Sequence, residues 1–151
     1  MTQQQKDMFI VTNSKYFPTN MLPLVAEKLD SIPEDRTLLL QTIEYKNPTT
    51  ILILSIFFGQ LGVDRFLLKD TVRGAVKLVT WLVPFLLIFI TSFVVTIMEY
   101  EPSNLLFPII LASFLSITNF VLVVIDWFLI QKETKLLNYK TFMEFNIKQK
   151  Y

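Results

Sequence analysis

The chain has 151 residues, of which 52% are hydrophobic and only 18% are charged, whereas soluble domains carry about 25% charge. It contains no cysteine and no histidine, which excludes structural disulfides, Cys/His zinc sites, thiol nucleophiles and a histidine general base. A net charge of +1 provides no general attraction to nucleic acid, so we expect no nucleic-acid partner. This composition indicates a membrane protein that is not an enzyme and needs no cofactor.

The N-terminal residues 1–47 are predicted to form a small helical cap in the cytoplasm. Apolar residues recur with a helical period over 22–29. Residues 31–34 have the spacing of a capping box, and Pro48 is expected to stop the helix that follows. The pattern therefore predicts a hairpin of two short helices. A cap on the membrane domain is favoured over a partner-docking module, because two short helices bury too little surface to stand alone.

Two long uncharged runs predict membrane-spanning helices. The first covers 21 residues over 78–98, or roughly 31 Å of helix, which matches a hydrocarbon core of about 30 Å. The second has 23 uncharged residues over 103–125 and is expected to span as 103–130. A shorter run at 49–63 stops at an Asp-Arg pair. The expected fold class is an all-α integral membrane protein with two full spans, a short re-entrant or third apolar helix at 49–68, and the N-terminal hairpin.

The basic residues predict the orientation of these segments. Five of the 14 precede the apolar region, four lie within 65–77, five follow the last span, and the turn at 99–104 has none. The positive-inside rule then places both termini and 65–77 in the cytoplasm and the acidic turn outside. A full third span at 49–68 would put one basic group on the wrong side. The predicted location is the cytoplasmic (inner) membrane of a bacterium, as a multi-pass protein.

The C-terminal segment 132–151 is basic and has apolar and aromatic residues interleaved with its lysines. This composition next to a membrane favours an interfacial helix on an anionic leaflet. The predicted organisation is therefore a cytoplasmic cap at 1–47, a membrane domain at 48–131, and a basic interfacial tail at 132–151.

All three glycines of the chain fall within one window that also carries charge. Gly59 and Gly62 precede Asp64 and Arg65, and Gly74 follows. Glycine permits close backbone approach or positive φ, so the window predicts a tightly packed turn. Charged side chains at a membrane boundary need a partner, so a specific buried arrangement is expected.

These motifs resemble those of the two-transmembrane (TM-two) domain family, in particular bacterial members with a short helical N-terminal extension. The matching positions are Gly59, Gly62, Asp64, Arg65, Phe66, Gly74, Lys77, Leu78, Ile125, Asp126 and Trp127. The resemblance implies that Asp-Arg-Phe lies in a loop between spans and leaves the biochemical role undefined. The chain departs from the family pattern at about 82–119, which is expected to be an inserted membrane hairpin.

The favoured function is a non-enzymatic membrane module that associates with itself or with another membrane protein in the lipid bilayer. Ala112, Ser116 and Asn119 share one face of the last span, with a small-xxx-small spacing that allows close helix contact. Packing of this face within the monomer is the alternative. One alternative function is a small channel lined by this face. Another is a toxin or immunity component of the membrane.

An intramembrane aspartyl enzyme is a further alternative, since Asp64 and Asp126 could form a pair of carboxyls that share a proton. Arg65 argues against it, because an adjacent guanidinium holds a carboxylate ionised. Arg65 cannot lose its charge, so it must find a carboxylate or several carbonyls, or else extend to the lipid headgroups. Asp126 is the favoured partner because it lies at the matching depth. The sequence therefore predicts an Arg65–Asp126 ion pair, with Lys77 as the competing partner and Phe66 packed beside it.

Overall fold

A computed structural model describes residues 2–98 and 106–148, and these residues form helices and connecting turns with no strand. The predicted all-α class is therefore confirmed. The helices are α1 (Gln3–Asn13), α2 (Leu22–Asp30), α3 (Pro48–Phe58), α4 (Val63–Leu67), α5 (Thr71–Met98) and α6 (Leu106–Lys148), with 3-10 segments at Ser14–Tyr16, Thr19–Met21, Glu34–Thr42 and Gly59–Leu61.

The chain divides into two compact units. A terminal unit combines the residues up to Ile51 with those from Leu129 onward, and a membrane unit comprises Leu52–Phe128. The acidic turn predicted at 99–104 lies outside the described residues.

Two helices are long and apolar enough to cross a membrane, as predicted. The segments are Thr71–Ile97, with 27 residues, and Leu106–Phe145, with 40. Only 6% and 17% of their most apolar stretches are buried inside the chain, so most of their apolar side chains face outward. An apolar outer surface is stable in lipid and unstable in water. The chain is therefore a membrane protein with two helices able to span.

The third apolar segment, Pro48–Leu61, is too short to span on its own. At about 1.5 Å per residue it extends roughly 21 Å, against a hydrocarbon core of about 30 Å. Pro48 begins α3, whereas it was predicted to stop a helix. Proline is favoured in the first turn of a helix because its missing N–H would be unpaired there in any case.

The first 47 residues fold differently from the predicted hairpin. Helix α2 lies where the periodicity placed it, but α1 was not predicted, and Glu34–Thr42 is a 3-10 helix. The Ser31 hydroxyl donates to the Lys28 carbonyl at 2.7 Å, so Ser31 closes the end of α2 and does not form the predicted capping box. A capping box is present instead at the start of α1.

Aromatic residues from both ends of the chain form the core of the terminal unit. The Phe142 ring lies 5.9 Å from Phe9 and 5.7 Å from Phe17, centroid to centroid. As far as residue 148, the predicted tail is the last part of α6. The buried Phe142 packs within this unit and is not presented to a lipid surface.

Buried polar groups tie α6 to the loop that precedes α3. Asn138 accepts a hydrogen bond from the Lys46 amide at 2.9 Å and donates to the carbonyls of Lys46 and Tyr16 at 2.8 and 3.1 Å. In the same loop, burial raises the pKa of the Tyr45 hydroxyl, to which no described residue hydrogen-bonds. The phenol therefore remains neutral across the physiological range.

Candidate functional site

The turn that begins the site depends on Gly62. Its φ is +73°, and a Cβ atom here would lie 2.4 Å from the Gly74 carbonyl oxygen. The backbone before α4 can therefore approach α5 this closely only with glycine at position 62. A Cβ on Gly74 would in turn lie 2.9 Å from the Phe66 ring. Phe66 thus packs on Gly74, and it is 41% exposed rather than buried with the charged residues.

Four charged side chains meet inside the membrane unit, and we name them, with Ser55, the polar cluster. Asp64 and Arg65 come from α4, Lys77 from α5 and Asp126 from α6, and all are buried. The Arg65 Nε atom donates to Asp126 Oδ2 at 2.9 Å, and Nη2 also contacts Oδ1. The structure therefore contains the predicted Arg65–Asp126 ion pair.

Lys77 is shared between the two carboxylates. Its Nζ lies 3.0 and 3.3 Å from the two carboxylate oxygens of Asp64, and it also forms an ion pair with Asp126. Lys77 was predicted to compete with Arg65, but the structure has both cations in place. The cluster therefore combines two cations with two anions and has no net charge, which lowers the cost of burying it.

Helix α3 joins the cluster through Ser55, a residue that the sequence analysis did not single out. The Ser55 hydroxyl donates to Asp64 Oδ2 at 2.9 Å, and the Trp127 indole N–H donates to the Ser55 carbonyl at 3.3 Å. The end of α3 also passes close to α6, because a Cβ atom added at Gly59, directly after α3, would be in van der Waals contact with Val123 of α6, at 3.6 Å. The sequence feature that could have identified Ser55 as part of the site is its position, one helical turn before Gly59 in an otherwise apolar run.

The predicted packing face on α6 is divided in the structure. Asn119 donates to the Lys77 carbonyl at 2.9 Å and to Thr80 Oγ1 at 3.0 Å, so it packs against α5 within the same chain. Ala112 is also buried, whereas Ser116 is exposed and its hydroxyl donates to the Ala112 carbonyl. The monomer therefore uses part of this face itself.

A groove between α5 and α6 contains two cavities that share Ile88. The inner cavity, adjacent to Asn119, has a volume of about 380 Å³, and its polar lining residues are Gln60, Thr80, Ser116 and Asn119. The outer cavity has a volume of about 370 Å³ and is lined by Ile88, Thr91, Ser92, Val95, Thr96 and Ile109. Among the residues that the structure describes, none that lines either cavity is charged.

The polar cluster is arranged to hold helices together. Each carboxylate faces a cation, so neither Asp64 nor Asp126 has its charge unbalanced. Within residues 2–98 and 106–148, no group of three or more His, Cys, Asp or Glu side chains could hold a metal ion. The ion pairs of the cluster and the hydrogen bond from Ser55 together connect α3, α4, α5 and α6.

Residues 44–94 match the family model of the TM2 domain, so the predicted resemblance is confirmed for this segment. The matched segment contains the glycine window and Lys77 but ends before Asp126. It extends past Leu82, so the family segment continues into the region predicted as an insert. No curated protein and no solved structure matches the chain.

Proposed function

Since residues 44–94 correspond to a TM2 domain, we propose that the chain is a non-enzymatic membrane module that self-associates, with the outer cavity as the contact surface. The observation that carries the proposal is this cavity in the outward-facing surface of α5 and α6, which is lined by small hydroxyl residues. Small residues let helix backbones approach closely in lipid, where packing drives helix association.

Two of the three hydroxyl groups that line the outer cavity, those of Thr91 and Thr96, already donate hydrogen bonds within α5. Thr91 donates to the Leu87 carbonyl and Thr96 to the Ser92 carbonyl, each at 2.8 Å. These two side chains therefore need no further acceptor for their protons, and they line a recess of about 370 Å³. A helix from another chain can fill such a recess by close packing.

A second copy of this chain is the occupant that the surface fits. The described lining residues are all uncharged, so they cause no charge repulsion between two identical surfaces. Two-fold pairing uses the same patch on both chains and is the commonest arrangement of protein oligomers. None of the described residues that line the cavity would select a partner by its charge.

Filling the outer cavity should weaken self-association. Ser92→Phe places a ring in the recess, and we expect the dimer dissociation constant to rise about tenfold, because overpacking a helix contact costs about 1–3 kcal/mol. Ser113→Phe is the matched control, since Ser113 is also an exposed serine of a spanning helix and lines neither cavity. Energy transfer between dyes on Thr141→Cys chains in detergent micelles measures the constant.

Two results would contradict the proposal. The first is a wild-type chain that remains monomeric at all detergent-to-protein ratios. The second is an equal effect of Ser92→Phe and Ser113→Phe, which would mean that added bulk acts without regard to the recess.

We also propose that both termini and the loop before α5 lie in the cytoplasm of a bacterium, with the acidic turn outside. The basis is the distribution of 14 basic residues, none of which lies in 99–104. The length of Pro48–Leu61 supports this arrangement, because a helix that does not span keeps the terminal segments on one side.

Single cysteines in this cysteine-free chain test the orientation. An impermeant thiol reagent added to intact cells should label Ser103→Cys and should leave Ser14→Cys, Asp70→Cys and Thr141→Cys unlabelled until the cells are opened. External labelling at position 70 would overturn the arrangement.

An enzymatic role has less support than a structural one. Aspartyl catalysis requires two carboxyls that share a proton, whereas Lys77 lies between Asp64 and Asp126. An ammonium in this position forms an ion pair with each carboxylate, which suits a structural cluster.

A further inference from the structure

The inner cavity contains an amide oxygen that lacks a donor. Asn119 is only 4% exposed, and its two amide hydrogens account for its bonds to the Lys77 carbonyl and to Thr80 Oγ1. These bonds fix the orientation of the amide and leave Oδ1 as the free acceptor. In the part of the chain that the structure describes, no group donates to this oxygen, and Asn119 lines the cavity.

A backbone oxygen is made available at the same place. Pro84 lies inside α5 and has no N–H, so the carbonyl of Thr80, four residues earlier, lacks its usual helical donor. Both Thr80 and Pro84 line the inner cavity. The helix thus presents an acceptor within an apolar span, where an unpaired polar group costs free energy.

The remaining polar groups of the cavity also provide oxygen atoms. Ser116 donates its hydroxyl proton to the Ala112 carbonyl, so only its lone pairs face a ligand. Gln60 adds an amide oxygen, and the nearly parallel rings of Trp81 and Phe85, 6.1 Å apart, form part of the wall. Aromatic faces attract cations.

We propose that the inner cavity binds a monovalent metal cation such as Na⁺, held by Asn119 Oδ1, the Thr80 carbonyl, Ser116 Oγ and Gln60. Neutral oxygens, including helix carbonyls without a donor, coordinate Na⁺ in membrane proteins. The lining residues that the structure describes include no carboxylate, which a divalent cation would favour. Asn119 Oδ1, the Thr80 carbonyl and Ser116 Oγ are all acceptors, so the set suits a cation better than an anion. The volume of about 380 Å³ accommodates the ion with several waters.

The inference rests on the proposed function in one respect. The two cavities share Ile88, so a second copy packed on the outer cavity would lie next to the inner one. The binding experiment therefore uses the assembled full-length chain in mild detergent, with the dimer verified by energy transfer in the same sample.

Trp81 reports on the cavity, because it lines the wall and is one of only two tryptophans. In a Trp127→Phe background, NaCl replaces choline chloride at constant ionic strength, and we expect a saturable change in Trp81 fluorescence. Pro84→Ala restores the N–H that pairs with the Thr80 carbonyl, so it should raise the half-saturating sodium concentration about tenfold. Pro108→Ala, in the first turn of α6 and away from the cavity, should leave it unchanged.

Three outcomes would overturn the cation site. One is an equal response to sodium and choline, and another is an unchanged sodium affinity in Pro84→Ala. The third is a dimer that forms normally but shows no response to sodium, which would refute the cation site and leave self-association standing. Loss of the dimer itself would refute the proposed function instead.

Discussion

Replacing Asp126 with alanine should destabilise the membrane unit by about 3–5 kcal/mol, because the substitution leaves Arg65 and Lys77 buried with a single carboxylate. Neither cation can move to water without dismantling the contacts between α4, α5 and α6. The free energy of unfolding in mixed micelles measures the loss. Asp30→Ala is the control, since Asp30 forms an ion pair with Lys6 while 63% exposed, and exposed pairs contribute at most about 1 kcal/mol.

Arg65→Ala should also lower the amount of folded protein, but it leaves an excess of negative charge in the cluster, whereas Asp126→Ala leaves an excess of positive charge. Without the guanidinium, Asp64 and Asp126 have only Lys77 between them, so one negative charge is unbalanced. The charge exchange Arg65→Asp with Asp126→Arg should restore part of the lost stability, because it reverses the pair without changing the net charge. A double alanine variant whose loss equals the sum of the two single losses would show that the two residues do not interact.

The Arg65–Asp126 pair could be predicted from the sequence because few solutions exist for a guanidinium at a membrane boundary. The charge of the guanidinium is permanent, and Asp126 directly follows the last long uncharged run of the chain, 103–125. Bridging by Lys77 and the bond from Ser55 could not be predicted in the same way. Both depend on how close α3, α4 and α5 lie to one another, which is set by backbone approach at Gly62 and not by residue spacing.

The terminal unit was predicted less well, for a physical reason. Helix α1 carries a contiguous apolar run over 8–11 with little helical periodicity, so its boundaries give a weak signal. The aromatic residues near the C-terminus resemble an interfacial helix in composition. Composition does not reveal that Phe142 has Phe9 and Phe17 as neighbours, because those contacts join residues more than a hundred positions apart.

Gly62→Ala should cost about 2–4 kcal/mol, because two penalties act together. A left-handed conformation costs an alanine about 1–2 kcal/mol, and the new Cβ would lie 2.4 Å from a backbone oxygen of α5 that cannot rotate away. Gly59→Ala is the matched control, since the closest atom to its Cβ would be the Ser55 hydroxyl at 3.3 Å, which can shift by a few tenths of an ångström, and Val123 at 3.6 Å would be in ordinary van der Waals contact. Unfolding in mixed micelles should therefore show a clearly smaller loss at Gly59.

Gly62→Asn separates the two penalties. Asparagine tolerates positive φ better than alanine but carries the same Cβ. If the contact between this Cβ and Gly74 is the larger penalty, Gly62→Asn and Gly62→Ala should be equally destabilising. Recovery of stability in Gly62→Asn would contradict the contact and leave backbone strain as the cause. Because Gly62 directly precedes the helix that carries Asp64 and Arg65, displacement of this turn should also reduce the coupling energy between Arg65 and Asp126. The glycine and the ion pair are then parts of one arrangement, in which close backbone approach brings Arg65 within reach of α6.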